Sequence, residues 1–144
     1  MPTTTATIGL SSDIGDSSIS INNTMTLFKA GSGTEGMDTM TSVSKILSST
    51  NQVDLAAYTA AGSTGSSGHN FLYIKNPSTD AAEYFRIALG ASPGGGSPSI
   101  VEELGYLYAG DWMFIPWSAS STAFDVMITP SISTDMTVEY MIFS

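Results

Sequence analysis

Apolar and polar residues alternate with a period of two along most of this chain. The alternation is clearest over residues 85–89, 124–128 and 136–142, and it is weaker over residues 19–27 and 53–57. Neighbouring side chains of a β-strand point to opposite sides, so one face of each such segment is more apolar than the other. Because antiparallel sheets commonly bury one face and expose the other, the pattern predicts strands of antiparallel sheets.

Segments of turn-forming residues separate the predicted strands. Residues 29–36, 62–68 and 92–98 are Gly- and Ser-rich loops, and residues 76–80 contain a proline between Asn and Asp, which predicts a tight hairpin turn. The one helical candidate is a weak turn at residues 99–103. About eight to ten short strands at fairly regular spacing predict an all-β fold, an antiparallel β-sandwich of the jelly-roll kind.

The length of the chain predicts one domain. A chain of 144 residues is long enough to bury a single core, which gives one β-sandwich over residues 1–144. The first ten residues are rich in Thr and contain Ile8 and Leu10. For these residues the alternative to a core strand is an extended N-terminal arm, which would add to the sheet edge of a neighbouring molecule.

The densest aromatic segment covers residues 104–117 and contains both tryptophans. It predicts a strand, a tight turn at Gly110 and Asp111, and a second strand that ends near Pro116. Aromatic side chains bury large areas and dominate cores and interfaces. We therefore expect a core or an oligomer contact, in preference to a sugar-stacking surface, at five side chains: Tyr106, Tyr108, Trp112, Phe114 and Trp117.

The second strand of this segment is apolar on both faces. Alternation places Trp112 and Phe114 on one face with Pro116, whereas Trp117 lies on the other face with Met113 and Ile115. Such a strand needs a cover on each side, so it lies inside the fold or beneath a partner subunit.

Charge is scarce and acidic. Charged residues make up 12% of the chain, and 4 basic residues stand against 13 acidic ones, which gives a net charge of −9. Because phosphate binding needs clustered Lys or Arg, this balance argues against nucleic acid and anionic membranes as partners. The chain has no cysteine, which excludes disulfides and thiolate zinc sites. No signal peptide and no apolar run of the ~20 residues that span a membrane is expected.

The sequence offers weak candidates for chemistry. His69 is the only histidine, whereas metal sites and catalytic triads need several converging groups. Glu102 and Glu103 point oppositely on a strand, and Asp111 sits in a turn, so a glycosidase carboxylate pair is disfavoured. The oxygen-rich residues 11–18 do not match a calcium-loop spacing. We predict no catalytic residues, no metal and no cofactor.

Two segments have a familiar order. Residues 71–90 form a strand that ends in Lys-Asn, a polar turn and a second strand, and residues 107–117 form a Gly-Asp turn followed by an apolar strand that ends in Pro. Together with the closing strand at residues 136–143, they resemble the small β-sandwich virion proteins of tailed bacteriophages, especially those of cyanophages. The resemblance covers roughly residues 70–143.

This resemblance implies a non-enzymatic structural protein of the virion, assembled in the host cytoplasm. The expected role is a capsid decoration (cement) protein that binds the major capsid protein on the outer shell as a homo-oligomer, with a trimer as one option. The alternative is a tail- or fibre-associated protein that binds a host glycan through loops 29–36, 62–68 and 92–98. A cupin-type or glycosidase enzyme is the third hypothesis, and the lone His69 and the missing carboxylate pair speak against it.

Overall fold

A computed structural model describes residues 3–14, 18–29, 31–56, 69–91, 99–118 and 124–144, and the strands within these ranges form antiparallel sheets. The predicted all-β sandwich architecture is confirmed. The helical turn expected at residues 99–103 is wrong, because this segment is the start of a strand paired with its neighbour. The described residues form ten strands: β1 (Thr4–Ser12), β2 (Ile19–Leu27), β3 (Met40–Leu47), β4 (Val53–Ala56), β5 (His69–Lys75), β6 (Tyr84–Ala91), β7 (Ser99–Tyr108), β8 (Trp112–Ser118), β9 (Asp125–Pro130) and β10 (Met136–Phe143).

The chain divides into two compact units, residues 1–38 and 39–144. In the first unit, β1 and β2 form a two-stranded antiparallel sheet, the hairpin, whose register runs from Thr4 opposite Leu27 to Ser12 opposite Ile19. The segment considered as an arm thus pairs with β2 of its own chain from Thr4 onward. Addition to a neighbouring molecule stays a prediction, as does the single domain.

The second unit contains two four-stranded antiparallel sheets. Sheet I has the strand order β3-β10-β5-β8, and sheet II has the order β4-β9-β6-β7. The last strand of the chain, β10, lies inside sheet I between β3 and β5. Sequence neighbours β5 and β6 lie in different sheets, as do β7 and β8, so the connections at residues 76–83 and 109–111 both cross between the sheets.

The core lies between sheets I and II and follows the alternation in most strands, although β9 is buried on both faces from Asp125 to Ile128. Every second residue of the central strands points inward, and a fully buried aliphatic or aromatic side chain stabilises the fold by about 1.5–3 kcal/mol. Both sheets contribute to one cluster of buried residues: Leu47, Leu55, Ala56, Leu72, Ile74, Phe85, Ile87, Leu107, Trp117, Val126, Ile128, Met136, Val138 and Ile142.

Asn76 joins the two crossing connections. Its side chain is fully buried, and its Nδ2 donates hydrogen bonds to the carbonyl oxygens of Glu83 (3.2 Å) and Leu107 (3.1 Å). Its backbone N–H donates to the Asp111 carbonyl at 2.9 Å, and its carbonyl accepts the Gly110 N–H at 3.0 Å. One asparagine therefore satisfies backbone groups in both connections.

The tight turn predicted at Gly110 and Asp111 is confirmed, whereas the hairpin turn predicted at residues 76–80 is wrong, because β5 and β6 lie in different sheets and this segment connects them. The Ser78 N–H donates to Asn76 Oδ1 at 3.1 Å, which is the local bond that Asn makes in turns. Gly110 has φ +80°, a conformation that favours glycine. The Asp111 N–H donates to the Tyr108 carbonyl, and Asp111 Oδ2 accepts the Tyr108 N–H, both at 2.9 Å. These bonds place β7 and β8 at matching edges of sheets II and I.

Candidate functional site

The five aromatic residues predicted as contacts fall into three different places. Trp117 belongs to the core with 3% of its surface exposed. Trp112 and Phe114 lie on the face of sheet I that points away from sheet II, and Tyr106 and Tyr108 lie on the outward face of sheet II. The alternation correctly separated Trp117 from Trp112 and Phe114. Contact of the four outward residues with a partner stays a prediction.

Trp117 fills the core at the edge of sheet I. The partly buried Met113 and Ile115 pack with it against the same cluster. Its indole Nε1–H donates a 2.7 Å hydrogen bond to the carbonyl of Phe124. A buried indole needs a partner for this group, and the bond supplies it. Trp117 is therefore a structural residue rather than a contact residue.

An aromatic cluster covers the outward side of β5, β8 and β10. The rings of Phe71 and Phe114 stack with centroids 5.3 Å apart, and Phe143 meets Phe114 edge-on at 6.2 Å. Tyr73 and Trp112 lie 6.1 Å apart. Aromatic pairs at such separations add to the burial of their area. We call this surface the aromatic face: His69, Phe71, Tyr73, Trp112, Phe114, Met141 and Phe143.

The aromatic face is almost uncharged and is open to solvent at its margins, whereas Phe71 at its centre is buried, with 5% of its surface exposed. Trp112 at one edge of sheet I is 51% exposed, and Met40 and Ile46 at the opposite edge are 59% and 62% exposed. The charged side chains on this face of the described strands are Lys75 and Glu139, which stand opposite each other on β5 and β10. A broad apolar surface of this kind marks an interaction site in a soluble protein.

A separate tyrosine cluster lies on the outward face of sheet II. The ring of Tyr84 meets Tyr106 at 5.4 Å and Tyr108 at 5.3 Å. Arg86 and Glu103 lie beside the cluster, with Nη1 and Oε2 3.7 Å apart. The negative charge of Glu103 raises the pKa of the Tyr106 hydroxyl. The cluster is thus smaller and more polar than the aromatic face.

The hairpin has two sharply different faces. In its register, Ile8, Leu10, Ile21 and Met25 share one face, and these large apolar side chains are exposed, Leu10 by 56%. Neither strand contains a charged residue. The other face carries only Gly9 and small polar side chains: Thr5, Thr7, Ser11, Ser20, Asn22, Thr24 and Thr26.

Sequence reasoning missed the hairpin as a surface. The alternation on β2 and the apolar Ile8 and Leu10 were both visible. What was hidden is the pairing of β1 with β2, which brings the two apolar rows onto one face. A hairpin signal such as Asn-Gly between the strands would have revealed it, but the sequence between them is Asp-Ile-Gly-Asp-Ser-Ser.

The base of the hairpin is held by an ion-pair cluster in the first unit. Lys29 Nζ lies 3.1 Å from both Glu35 Oε1 and Asp38 Oδ2. These hydrogen bonds raise the pKa of Lys29 above its ordinary value. Thr4 Oγ1 also donates to the Met37 carbonyl at 3.0 Å. The segment after β2 therefore folds back and bonds to the start of β1.

The weak chemical candidates have structural surroundings. His69 begins β5 and meets Phe71 edge-on at 5.1 Å, and Asp111 closes the turn after β7. Glu102 and Glu103 are successive residues of β7 that pair with Leu89 and Ala88, so they point to opposite sides.

Some predicted elements lie outside the described residues. These are loops 62–68 and 92–98, residue 30 of loop 29–36, and residues 15–17 of the oxygen-rich segment. Within the part of the chain that the structure describes, no group of three His, Cys, Asp or Glu residues is placed to hold a metal ion. No helix in that part is long and apolar enough to cross a membrane.

Comparison with known proteins gives no match, since no protein-family model, no curated protein and no solved structure is significantly similar to the chain.

Proposed function

We propose that this protein is a non-enzymatic structural component of a virus particle. Its role is that of a capsid decoration protein that binds the major capsid protein on the outer shell as a homo-oligomer. The particle would acquire it in the host cytoplasm. The proposal starts from the resemblance of residues 70–143 to phage virion proteins and gains physical support from the surfaces of the folded chain.

The observation that carries the proposal is the hairpin. It presents Ile8, Leu10, Ile21 and Met25 to solvent on one uncharged face. An isolated two-stranded sheet is marginally stable in water, and large exposed apolar patches mark binding surfaces. We assign this face to attachment on the shell, where an apolar groove of the capsid covers it.

The hairpin also suits attachment because of its charge. The chain carries a net charge of −9, yet its two hairpin strands carry none. A charge-free contact can approach a shell of either sign without like-charge repulsion or the desolvation of ions. The negative charge of the remainder of the chain would keep decorated particles apart.

Replacing Leu10 and Ile21 with Ser together should remove most attachment to the shell. The two residues are cross-strand partners in the middle of the exposed apolar face. Interface residues of this type cost about 1–2 kcal/mol each when truncated, so the double variant should bind about 30-fold or more weakly. The measurement is occupancy of undecorated particles titrated with purified protein.

The matched control changes the polar face of the same hairpin. Thr7 and Thr24 are also cross-strand partners, with hydroxyls 3.0 Å apart, and changing both to Ser keeps a hydroxyl on each. This control should bind as the unchanged protein does. Equal occupancy by the Leu10→Ser/Ile21→Ser variant would contradict the assignment of the hairpin to the shell.

The alternative function, host-glycan binding from a tail or fibre, draws support from the tyrosine cluster. Exposed Tyr106 and Tyr108 beside Arg86 and Glu103 combine flat rings with hydrogen-bonding groups, and sugars bind such surfaces. Two of the three loops proposed for this role are outside the described residues. The hairpin favours the decoration role, because its exposed apolar face carries no charge and does not suit the binding of a polar glycan.

A further inference from the structure

We propose that the aromatic face binds a second copy of this chain, with the two copies related by a two-fold axis that runs parallel to the strands of sheet I. This dimer would be the homo-oligomer of the proposed function, on which it rests, with its contact surface and its symmetry specified.

The size of sheet I fits a contact between two copies. Four strands about 4.8 Å apart and about seven residues of about 3.4 Å each outline a face of roughly 20 Å by 25 Å. Because the side chains project unevenly, the accessible area of this face exceeds its flat outline of roughly 500 Å². It approaches the about 600–1,000 Å² that each partner contributes to a stable interface. Sheets also pack face to face readily, about 10 Å apart.

The charge of the face favours a copy of the same chain as the occupant. Two molecules of net charge −9 repel each other except where their surfaces are locally neutral. The aromatic face is locally neutral, because Lys75 and Glu139 balance each other across β5 and β10. Both are half-buried, so their charges would be enclosed when a second sheet covers them.

The strand order fixes which two-fold axis satisfies these charges. In the order β3-β10-β5-β8, a two-fold axis parallel to the strands lays β10 of one copy over β5 of the other. Glu139 and Lys75 occupy the same level in the register. Glu139 of each copy therefore faces Lys75 of the other, and two ion pairs form across the interface.

The apolar residues are complementary under the same axis. Phe143 stands level with Phe71, so each Phe143 lies over the ring cluster around Phe71 of the second copy, where Phe71 itself is already buried in its own chain. The β8 edge lies over the β3 edge, and the register places Trp112 opposite Ser44 of the other copy, two residues from Ile46 on the same face of β3. Trp112, which is more than half exposed in one chain, therefore becomes covered.

Other arrangements leave these groups unpaired. A two-fold axis across the strands would reverse their direction and place Lys75 over the end of β5 that carries His69 and Phe71. Edge-to-edge growth through β8 meets Pro116, which has no N–H to donate, and prolines at sheet edges block added strands. The face-to-face pair is a closed dimer, in place of the trimer considered from the sequence.

Complementary charge reversals test this geometry in solution. Lys75→Glu and Glu139→Lys should each weaken self-association at least about tenfold, because each puts like charges opposite each other in the dimer. A one-to-one mixture of the two variants should form a mixed dimer as tightly as the unchanged protein. The readout is molar mass by sedimentation and by native mass spectrometry, which distinguishes mixed from like pairs.

The controls separate the contact from folding and from total charge. Asp135→Lys makes the same charge change as Glu139→Lys at an exposed position in the turn before β10, and it should leave the dimer intact. Trp112→Ser should weaken the dimer about tenfold without a charge change. Thermal melts of each variant verify that the monomer is folded.

Three outcomes would overturn the inference: an unchanged protein that stays monomeric at about 100 μM, single reversals that pair as the unchanged protein does, or a mixture that forms no mixed dimer. All three are measured without particles. A failure here therefore leaves the attachment of the hairpin to the shell standing, and failure of that attachment leaves the dimer standing.

Discussion

Trp117→Ala is expected to lower the free energy of unfolding by about 3–5 kcal/mol, the range for truncation of a large core aromatic. Trp117 is 3% exposed and belongs to the cluster between sheets I and II. Truncation leaves a cavity there and leaves the carbonyl of Phe124 without its indole donor. Urea denaturation followed by circular dichroism measures the loss as a lower transition midpoint.

Trp112→Ala is the matched control for this prediction. Trp112 lies five residues earlier on the same strand, but it is 51% exposed and its face is outward. Its truncation should cost about 1 kcal/mol or less in a monomer, since much of its area is already in water. Equal losses for the two variants would contradict the separation of core face from contact face.

Asn76→Ala is the second change with a large expected effect. It removes the two hydrogen bonds that Nδ2 donates to the carbonyls of Glu83 and Leu107, and it does so at a fully buried position. A buried group left without a partner costs about 1–3 kcal/mol, so the loss should be about 2–5 kcal/mol. Because both connections between the sheets depend on Asn76, hydrogen exchange should also accelerate at residues 109–111.

Asn51→Ala is the control for Asn76. Asn51 is exposed in the turn before β4, and its backbone N–H, rather than its side chain, donates a hydrogen bond to Ser49 Oγ. We expect a change within about 0.5 kcal/mol. If Asn76→Ala were as mild as Asn51→Ala, the connections would be held by their other backbone bonds alone.

Much of the fold was predictable because it depends on local alternation. Strands β6 and β10 have strict periodicity, and Phe85 and Val138 are buried as the pattern indicates. The turns at Asn76 and Gly110 follow from residue types with specific backbone preferences. Such features are decided within a few residues, so the sequence displays them directly.

Other features were not predictable because they depend on distant partners. Residues 99–103 have a capping serine and two early glutamates, yet pairing with β6 makes them strand, and this pairing outweighs a weak helical preference. The place of β10 inside sheet I depends on β3 and β5, which are far apart in sequence. Alternation separated Trp112 from Trp117 but could not say which of them faces the core.

The candidate surfaces illustrate the same limit. The aromatic face draws its rings from β5, β8 and β10, so no single segment reveals it. The hairpin face needs the register that joins Leu10 to Ile21. A role on a particle is harder still to predict, since it depends on a binding partner that is a different molecule.

The most direct test of the proposed decoration role is a reconstruction of purified virus particles from the source of this chain, together with the copy number by quantitative mass spectrometry. We expect density for the protein over the whole outer shell, in a fixed ratio to the major capsid protein, with the hairpin against the shell. A few copies confined to the tail or fibres would contradict it, and so would particles that lack the protein.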